Sequence, residues 1–255
     1  MENDFLVDSE YLSPAALEKK HRLENDPSSR IDHMKYLEGM DQIDPSLRLR
    51  VMKEMAEYDP SEYTARDVQR ALEQETCSVE DLKALLSPAA EPFLEQMARR
   101  ANRVTSRHFG NSVNIFTPLY IANYCENYCV YCGFNCYNHI RRLKLDSEQI
   151  EHEMKVIADT GIEEILLLTG ESPVKSDVKY IGEACKLAKK YFRNVGIEIY
   201  PVNVEDYRYL HECGVDYVTV FQETYDSDRY EQLHLAGNKR IWPYRFEAQE
   251  RALMG

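Results

Sequence analysis

The 255-residue sequence lacks the features of several large classes of protein. Lys and Arg number 31 against 44 Asp and Glu, which gives a net charge of −13 with histidine neutral. A general nucleic-acid binder needs a surplus of basic side chains to displace counterions from phosphates, so this balance argues against nucleic acid as a partner. No apolar run approaches the roughly 20 residues of a membrane span, and the N-terminus is acidic where a signal peptide is basic. We therefore expect a cytoplasmic protein without a membrane partner.

Cysteine is sparse outside one short stretch. Four of the seven cysteines lie between Cys125 and Cys136, and an odd total does not suit a fully paired, secreted disulfide framework. In a reducing compartment such clustering points to a metal rather than to disulfides. The other three, Cys77, Cys185 and Cys213, lie in predicted helices without ligand partners nearby. We expect these three to be small buried core residues.

The pattern divides the chain into three segments. Residues 1–64 carry 15 Asp and Glu against 8 Lys and Arg, and acidic-Pro-Ser turns separate their short helical stretches. Residues 1–63 are therefore predicted to be a solvated acidic helical extension rather than a binding tail. Residues 64–111 contain capping boxes that begin at Thr64 and Ser78, and then a long helix, so they predict a helical segment before the next domain.

From residue 112 the pattern alternates between strands and helices. The predicted strands cover residues 112–121, 165–169, 196–200 and 217–221, and the helices between them cover residues 146–159, 177–192 and 204–213. This alternation predicts an α/β fold with a parallel sheet and right-handed crossovers. A complete eight-stranded barrel takes about 250 residues. We therefore expect residues 112–255 to form a partial β/α barrel of about four strands, with the chain ending part-way through it.

Cys125, Cys129 and Cys132 follow the first predicted strand in a C-x3-C-x2-C pattern. Three thiolates on one loop can bind three irons of a [4Fe–4S] cluster and leave the fourth iron open for chemistry. Barrel enzymes also place their active sites at the carboxyl ends of strands. The alternative is a closed zinc site with Cys136 as fourth ligand, but zinc sites usually pair two knuckles that are distant in sequence. The spacing favours iron.

This loop, with Tyr131 before its last cysteine, resembles the signature of the radical S-adenosylmethionine (SAM) family. Other stretches resemble one branch of that family, the 2-iminoacetate synthases, which are the tyrosine lyases of thiamine thiazole biosynthesis. These stretches are Ser87-Pro88-Ala89-Ala90, Phe109-Gly110-Asn111, Pro118-Leu119-Tyr120, Tyr131-Cys132-Gly133-Phe134, Leu167-Leu168-Thr169-Gly170-Glu171 and Gln222-Glu223-Thr224-Tyr225. The resemblance covers residues 64–255 and does not extend to residues 1–63.

The resemblance implies a fold, two cofactors and a reaction. The fold would be a full or partial β/α barrel, and the cofactors a [4Fe–4S] cluster and SAM. The reaction would break the Cα–Cβ bond of tyrosine after hydrogen abstraction by a 5′-deoxyadenosyl radical, giving 2-iminoacetate and p-cresol. The implied protein partners are a flavodoxin or ferredoxin as reductant and a thiazole synthase as acceptor of the imine. The residues that bind the tyrosine carboxylate are expected in a downstream half.

The resemblance also assigns roles to single residues. The three cysteines of the loop match the cluster ligands, and Tyr131 matches the aromatic position beside the adenine. Glu171 matches the motif that binds the cofactor's amino group, where a carboxylate suits an ammonium ion. Glu223 and Tyr225 follow the fourth predicted strand and are the catalytic candidates, within reach of the ribose, the sulfonium or the substrate amine. An ordinary loop role for these two stays open.

Two alternatives to the thiamine enzyme remain. One is the related tyrosine lyase of [FeFe]-hydrogenase maturation, which shares the Gln-Glu-Thr-Tyr stretch. The other is a non-catalytic fragment that binds an iron–sulfur cluster or zinc. The basic residues after the loop, Arg141, Arg142 and Lys144, are interpreted as a solvated face rather than as part of the site.

Overall fold

The computed structural model describes residues 12–255, which form two compact units. The first unit comprises residues 12–48 and 115–255, and the second comprises residues 49–114. These boundaries differ from those of the three segments drawn from sequence, because most of the acidic N-terminal segment belongs to the same unit as the strands. The first 11 residues of the predicted extension lie outside the described residues.

The N-terminal part of the first unit packs against the part that contains the strands. Ser13 caps the start of helix α1 (Pro14–Asn25), because its hydroxyl accepts a hydrogen bond from the backbone N–H of Ala16. The helix buries Leu23. After α1 comes a segment that we call the strap, residues 30–48. Its His33 carbonyl accepts a hydrogen bond of 2.9 Å from the backbone N–H of Trp242. Most of residues 12–48 are exposed or half-buried, but Leu23 is buried and the His33 carbonyl bonds to Trp242, so acidic composition alone does not show that the segment also has anchors on the rest of the unit.

The second unit is helical, as predicted for residues 64–111. Helix α2 (Ser46–Glu57) begins in the strap and continues into this unit, followed by α3 (Ala65–Glu73), α4 (Val79–Leu86) and α5 (Leu94–Phe109). Both capping boxes form, at Thr64 and at Ser78. Cys77 is exposed in the connection between α3 and α4, so its predicted place in a buried helix is wrong.

The rest of the first unit alternates between strands and helices. Its elements are β1 (Phe116–Ala122), β2 (Tyr128–Cys129), α6 (Ser147–Ala158), β3 (Glu164–Thr169), α7 (Val178–Ala188), β4 (Asn194–Glu198), α8 (Val204–Glu212), β5 (Tyr217–Val218), α9 (Ser227–Leu233), β6 (His234–Ala236), α10 (Trp242–Phe246) and α11 (Ala248–Met254). None of the helices in the described part of the chain is long and apolar enough to span a membrane.

The main sheet is parallel and has the order β1-β3-β4-β5, which confirms the predicted α/β class. Leu167 of β3 pairs with Leu119 of β1 and Ile197 of β4, and this central row lies in the apolar core. Pro118 is in β1, an edge strand, where its missing N–H costs no ladder bond on the open side. All four strands run the same way, so the loops after them meet at one edge of the sheet.

A second, smaller sheet is absent from the sequence prediction. It pairs the two-residue strand β2 with β6 in antiparallel fashion, with Cys129 opposite His234. Because each strand is only two or three residues long, neither shows an alternating pattern that could have been detected. This pairing fixes the cysteine loop against a segment that follows β5.

Candidate functional site

The loops at the carboxyl edge of the main sheet surround a cavity of about 190 Å³, called the cavity below. Residues that follow β1, β3, β4 and β5 all contribute to its lining, and so do side chains from beyond β6. Its thiol-bearing, acidic, basic and tyrosine lining residues are Tyr120, Cys125, Cys129, Tyr131, Cys132, Glu171, Glu198, Tyr200, Glu223, Lys239 and Arg245. The structure therefore brings together six of the seven predicted site residues.

The three cysteines of the C-x3-C-x2-C loop line the cavity from one side. Cys129 is buried, and the turn after it closes with a 3.2 Å hydrogen bond from the Cys132 N–H to the Cys129 carbonyl. The Asn127 side-chain amide donates to the Cys125 sulfur at 3.6 Å. Burial raises the pKa of the Cys129 thiol to about 12 and also raises the pKa of Cys125. A thiol of this kind gives up its proton when its sulfur binds a metal.

Arg142 stabilises the cysteine loop through hydrogen bonds to its backbone. Its guanidinium is buried and donates to three backbone carbonyls, those of Asn123 at 2.7 Å, Phe134 at 2.9 Å and Asn135 at 2.7 Å. The expectation of a solvated basic face is therefore wrong for this residue. A guanidinium presents five N–H donors in a fixed fork, which suits a loop whose carbonyls have no ladder partner.

Glu171 follows β3 and faces a cation across the cavity. Its Oε2 is 3.7 Å from Nη1 of Arg245, and both side chains are almost fully buried. Burial raises the pKa of Glu171, and the charges of Arg245 and Lys239 oppose that rise. The Arg245 Nε donates to the Phe221 carbonyl at 2.6 Å, whereas its Nη1 has no hydrogen-bond partner. A buried donor left unpaired in this way is available to an acceptor in the cavity.

Glu223 follows β5 and pairs with Lys239. The Lys239 Nζ donates to Glu223 Oε1 at 2.6 Å, and although burial opposes it, this bond lowers the pKa of Glu223. Glu223 has a backbone φ of +68°, the only positive φ outside glycine in the described residues. Such a conformation is costly for a non-glycine residue and is often found at functional sites.

Tyr131 lines the cavity and is held by a histidine from β6. The Nδ1 of His234 lies 2.8 Å from the Tyr230 carbonyl, which can only accept, so Nδ1 carries the proton. The Nε2 is then an acceptor, and the Tyr131 hydroxyl donates to it at 2.8 Å. Burial lowers the pKa of His234 to about 4 and keeps the ring neutral at pH 7.

A model of the radical SAM superfamily matches residues 119–253, more than half of the chain. The chain belongs to the radical SAM superfamily. Among curated relatives, it is 42% identical to the 2-iminoacetate synthase of Salmonella typhimurium over 188 residues, which are 74% of this chain and 50% of that protein. It is 33% identical to the 3-methylornithine synthase of Methanosarcina acetivorans over 62% of this chain and 46% of that protein. The resemblance found in the sequence is confirmed.

Solved radical SAM structures share the fold. The FeFe-hydrogenase maturase HydG from Carboxydothermus hydrogenoformans superposes with a TM-score of 0.74 at 25% identity, over 84% of this chain and 52% of that one. The chain spans about half the length of the two curated relatives named above.

The radical SAM cofactors, a [4Fe–4S] cluster and SAM, are therefore those of this chain, as the sequence predicted. The donor set suits the cluster. In the described part of the chain no three His, Cys, Asp or Glu side chains converge as ligands of a single ion. A cluster does not need such convergence, because each thiolate binds a different iron. Cys136, the fourth ligand of the zinc alternative, does not line the cavity.

Tyr225 lies apart from the other predicted site residues of this radical SAM chain. It is half exposed, does not line the cavity, and contacts the ring of Phe246 edge-on at 5.5 Å between centroids. Conversely, sequence reasoning missed Glu198, Lys239 and Arg245. Glu198 ends β4, so the rule that located Glu171 after β3 also applies to it. Lys239 and Arg245 follow short elements without a periodic pattern, and no such rule locates them.

Proposed function

We propose that this protein is a radical SAM lyase that cleaves the Cα–Cβ bond of tyrosine to 2-iminoacetate and p-cresol. The observation that carries the proposal is the cavity, which three cysteines of one loop line together with three carboxylates at or after the ends of β3, β4 and β5 and two cations from beyond β6. The identity of 42% to a 2-iminoacetate synthase over 74% of the chain supports the choice of substrate.

Cys125, Cys129 and Cys132 would hold three irons of the cluster and leave the fourth iron without a protein ligand. When bound and reduced, the cluster supplies the electron that cleaves SAM into methionine and a radical able to abstract hydrogen from tyrosine. The residues of this chain contribute binding, orientation and exclusion of water. Lys239 places positive charge near the Cys129 thiol, which would offset part of the negative charge that the cluster brings.

Glu171 and Arg245 are suited to opposite ends of an amino acid. The Glu171 carboxylate would accept from the ammonium group of SAM, and the Nη1 of Arg245, which makes no hydrogen bond of its own, would donate to a carboxylate. The two groups already form an ion pair at 3.7 Å. A bound zwitterion would replace this pair with two others, one between its ammonium group and Glu171 and one between its carboxylate and Arg245.

Tyr131 would contact the adenine, and its bond to His234 fixes the ring on the cavity wall. Glu223 and Tyr225 remain the proposed catalytic residues, directed to the ribose, the sulfonium or the substrate amine. Glu223 is the better placed of the two, because it lines the cavity and Tyr225 does not.

The decisive experiment is anaerobic reconstitution with iron and sulfide. We expect about four irons and four sulfides per chain, SAM cleavage after reduction with dithionite, and p-cresol when tyrosine is added. Cys→Ser changes at 125, 129 or 132 should each abolish all three results, whereas Cys77→Ser, an exposed cysteine of the second unit, should abolish none. Stoichiometric zinc without iron would refute the proposal.

The second candidate, tyrosine cleavage in hydrogenase maturation, is favoured by the structural similarity to HydG. Product analysis separates the two. Free 2-iminoacetate hydrolyses to glyoxylate and ammonia, so a 2-iminoacetate synthase should accumulate glyoxylate in proportion to p-cresol. Formation of p-cresol without glyoxylate would favour the maturase-type reaction. A loaded cluster without any SAM cleavage would favour the non-catalytic fragment.

The resemblance suggests two protein partners, a flavodoxin or ferredoxin that reduces the cluster and a thiazole synthase that receives the imine. Both partners can be tested in a coupled assay in which thiazole formation is measured while the concentration of each partner is varied in turn.

A further inference from the structure

Cys136, the fourth cysteine of the loop, is adjacent to the cluster site without being part of the cavity lining. Its backbone N–H donates to the Asn127 carbonyl at 2.9 Å, and the Asn127 side chain in turn donates to the Cys125 sulfur. Cys136 is therefore a near neighbour of a proposed cluster ligand. A [4Fe–4S] cluster with four cysteine ligands is the ordinary electron-transfer arrangement, and it has no open iron.

Helix α1 covers this cysteine. Leu23, the only buried residue of α1, packs with Tyr128 and Leu235. Cys136 packs against this group of apolar side chains. Two polar contacts fix α1 in this place. The Tyr128 hydroxyl donates to the Glu24 carboxylate, and Lys20, paired with Glu24 at 3.0 Å, lies 5.9 Å from the centre of the Tyr128 ring.

We propose that α1 acts as a cover that keeps Cys136 out of the cluster and so preserves the open iron for SAM. Leu23 is then a positioning residue, since it touches neither cofactor and acts through Cys136. The inference rests on the proposed cluster ligands. It assigns a function to part of the N-terminal extension, the region for which the sequence offered none.

The first test compares Leu23→Ala with the double variant Leu23→Ala/Cys136→Ser in cluster-loaded, full-length chain. SAM should change the electron paramagnetic resonance signal of the whole reduced cluster in the parent protein and in Cys136→Ser. In Leu23→Ala a fraction of the signal should no longer respond to SAM, and the added Cys136→Ser should restore the response. Glu18→Ala, on the exposed side of α1, should behave as the parent.

A merely structural loss would not be rescued by removing a cysteine. If Leu23→Ala keeps the full response to SAM, or if the double variant fails to recover it, the cover is refuted.

The second test measures alkylation of the loaded protein by iodoacetamide, with each cysteine followed by mass spectrometry. Exposed Cys77 is the internal reference. Cys136 should react more slowly than Cys77 in the parent, and Leu23→Ala should raise its relative rate roughly tenfold, because access limits the reaction of a covered thiol. Equal rates at the two cysteines in the parent, or no acceleration in Leu23→Ala, would overturn the proposal.

Metal analysis separates this inference from the proposed function. Zinc in place of iron would refute the proposed function before any spectrum is taken. A parent protein that contains the iron cluster and cleaves SAM, but whose Leu23→Ala variant keeps the full spectroscopic response to SAM, would refute the cover alone.

Discussion

Gly170 allows the cysteine loop to approach the end of β3. Its N–H donates to the Ala122 carbonyl at 2.9 Å, and a Cβ at this position would lie 2.1 Å from the Tyr124 carbonyl oxygen. The contact is with backbone, which cannot rotate away as a side chain can. Glycine is therefore required here by close approach, one position before Glu171.

Gly170→Ala should displace the loop that begins at Cys125. We expect a loss of about 1–3 kcal/mol in the free energy of unfolding, which is usual for overpacking, and a reduced iron content after reconstitution. Urea unfolding followed by circular dichroism and iron analysis would measure the two effects.

Gly133→Ala is the matched control, because it lies in the same loop and its added Cβ would meet nothing within 4 Å. Equal iron contents in the two alanine variants would contradict the argument from close approach.

Single residues of the site differ in how far sequence could locate them. The three cysteines and Glu171 follow from a spacing pattern and from the rule that strand ends carry the site. Lys239 and Arg245 line the cavity, and His234 contacts Tyr131 of its lining, in a segment that the pairing of β6 with β2 brings to the cysteine loop from far away in the chain. No local pattern encodes such a pairing.

At the scale of elements, the strap carries a buried ion pair. The Glu247 carboxylate is fully buried and accepts from the Arg48 Nε at 2.8 Å and from the Tyr36 hydroxyl. Glu247 lies between α10 and α11, two residues beyond Arg245 of the cavity. The strap therefore anchors the segment that carries one of the site's two cations.

Arg48→Met should destabilise the first unit by about 3 kcal/mol, because it leaves a buried carboxylate without its cation. Trp242 is the only tryptophan, is fully buried, and lies 6.0 Å from the Arg48 guanidinium, so its fluorescence reports unfolding of this unit.

The control is Lys35→Met, also in the strap, whose pair with Asp32 is exposed and 3.6 Å long. Exposed pairs contribute little, so this variant should unfold at the urea concentration of the parent. Equal shifts in the two variants would contradict an anchoring role for Arg48.

Elements with a strong pattern were the most predictable. The four parallel strands are predicted in place, the second from its continuous apolar run and the first from its β-branched and aromatic residues, although β1 and β5 are shorter than expected. The packing of the strap could not be predicted, because its anchors are spaced irregularly along an acidic segment that is interrupted by proline. Whether such a segment packs depends on partners such as Glu247 that lie 199 positions away.

The whole molecule combines a large negative charge with exposed apolar side chains. In the first unit, four apolar side chains that lie in or just beyond the two edge strands are each about half exposed or more: Ile115, Phe116, Tyr120 and Phe221. Apolar groups at a sheet edge favour association between copies. The charge of −13 opposes it by repulsion.

Self-association should therefore increase as the pH falls toward the isoelectric point of about 5.1, because protonation of carboxylates removes the repulsion. Added salt at pH 7.5 should act in the same direction by screening. Sedimentation velocity over this pH range would measure both trends, and Phe116→Lys should weaken them. Association that depends on neither pH nor salt would contradict this balance of forces.

The pairing of β2 with β6 also orders events during biosynthesis. Tyr131 and its partner His234 are 103 positions apart, so the cysteine loop emerges from the ribosome long before the strand that fixes it. For that interval the thiols are exposed on a nascent chain that cannot yet hold them in place. We therefore expect cluster insertion to follow translation of β6, and these cysteines to need a reducing environment until then.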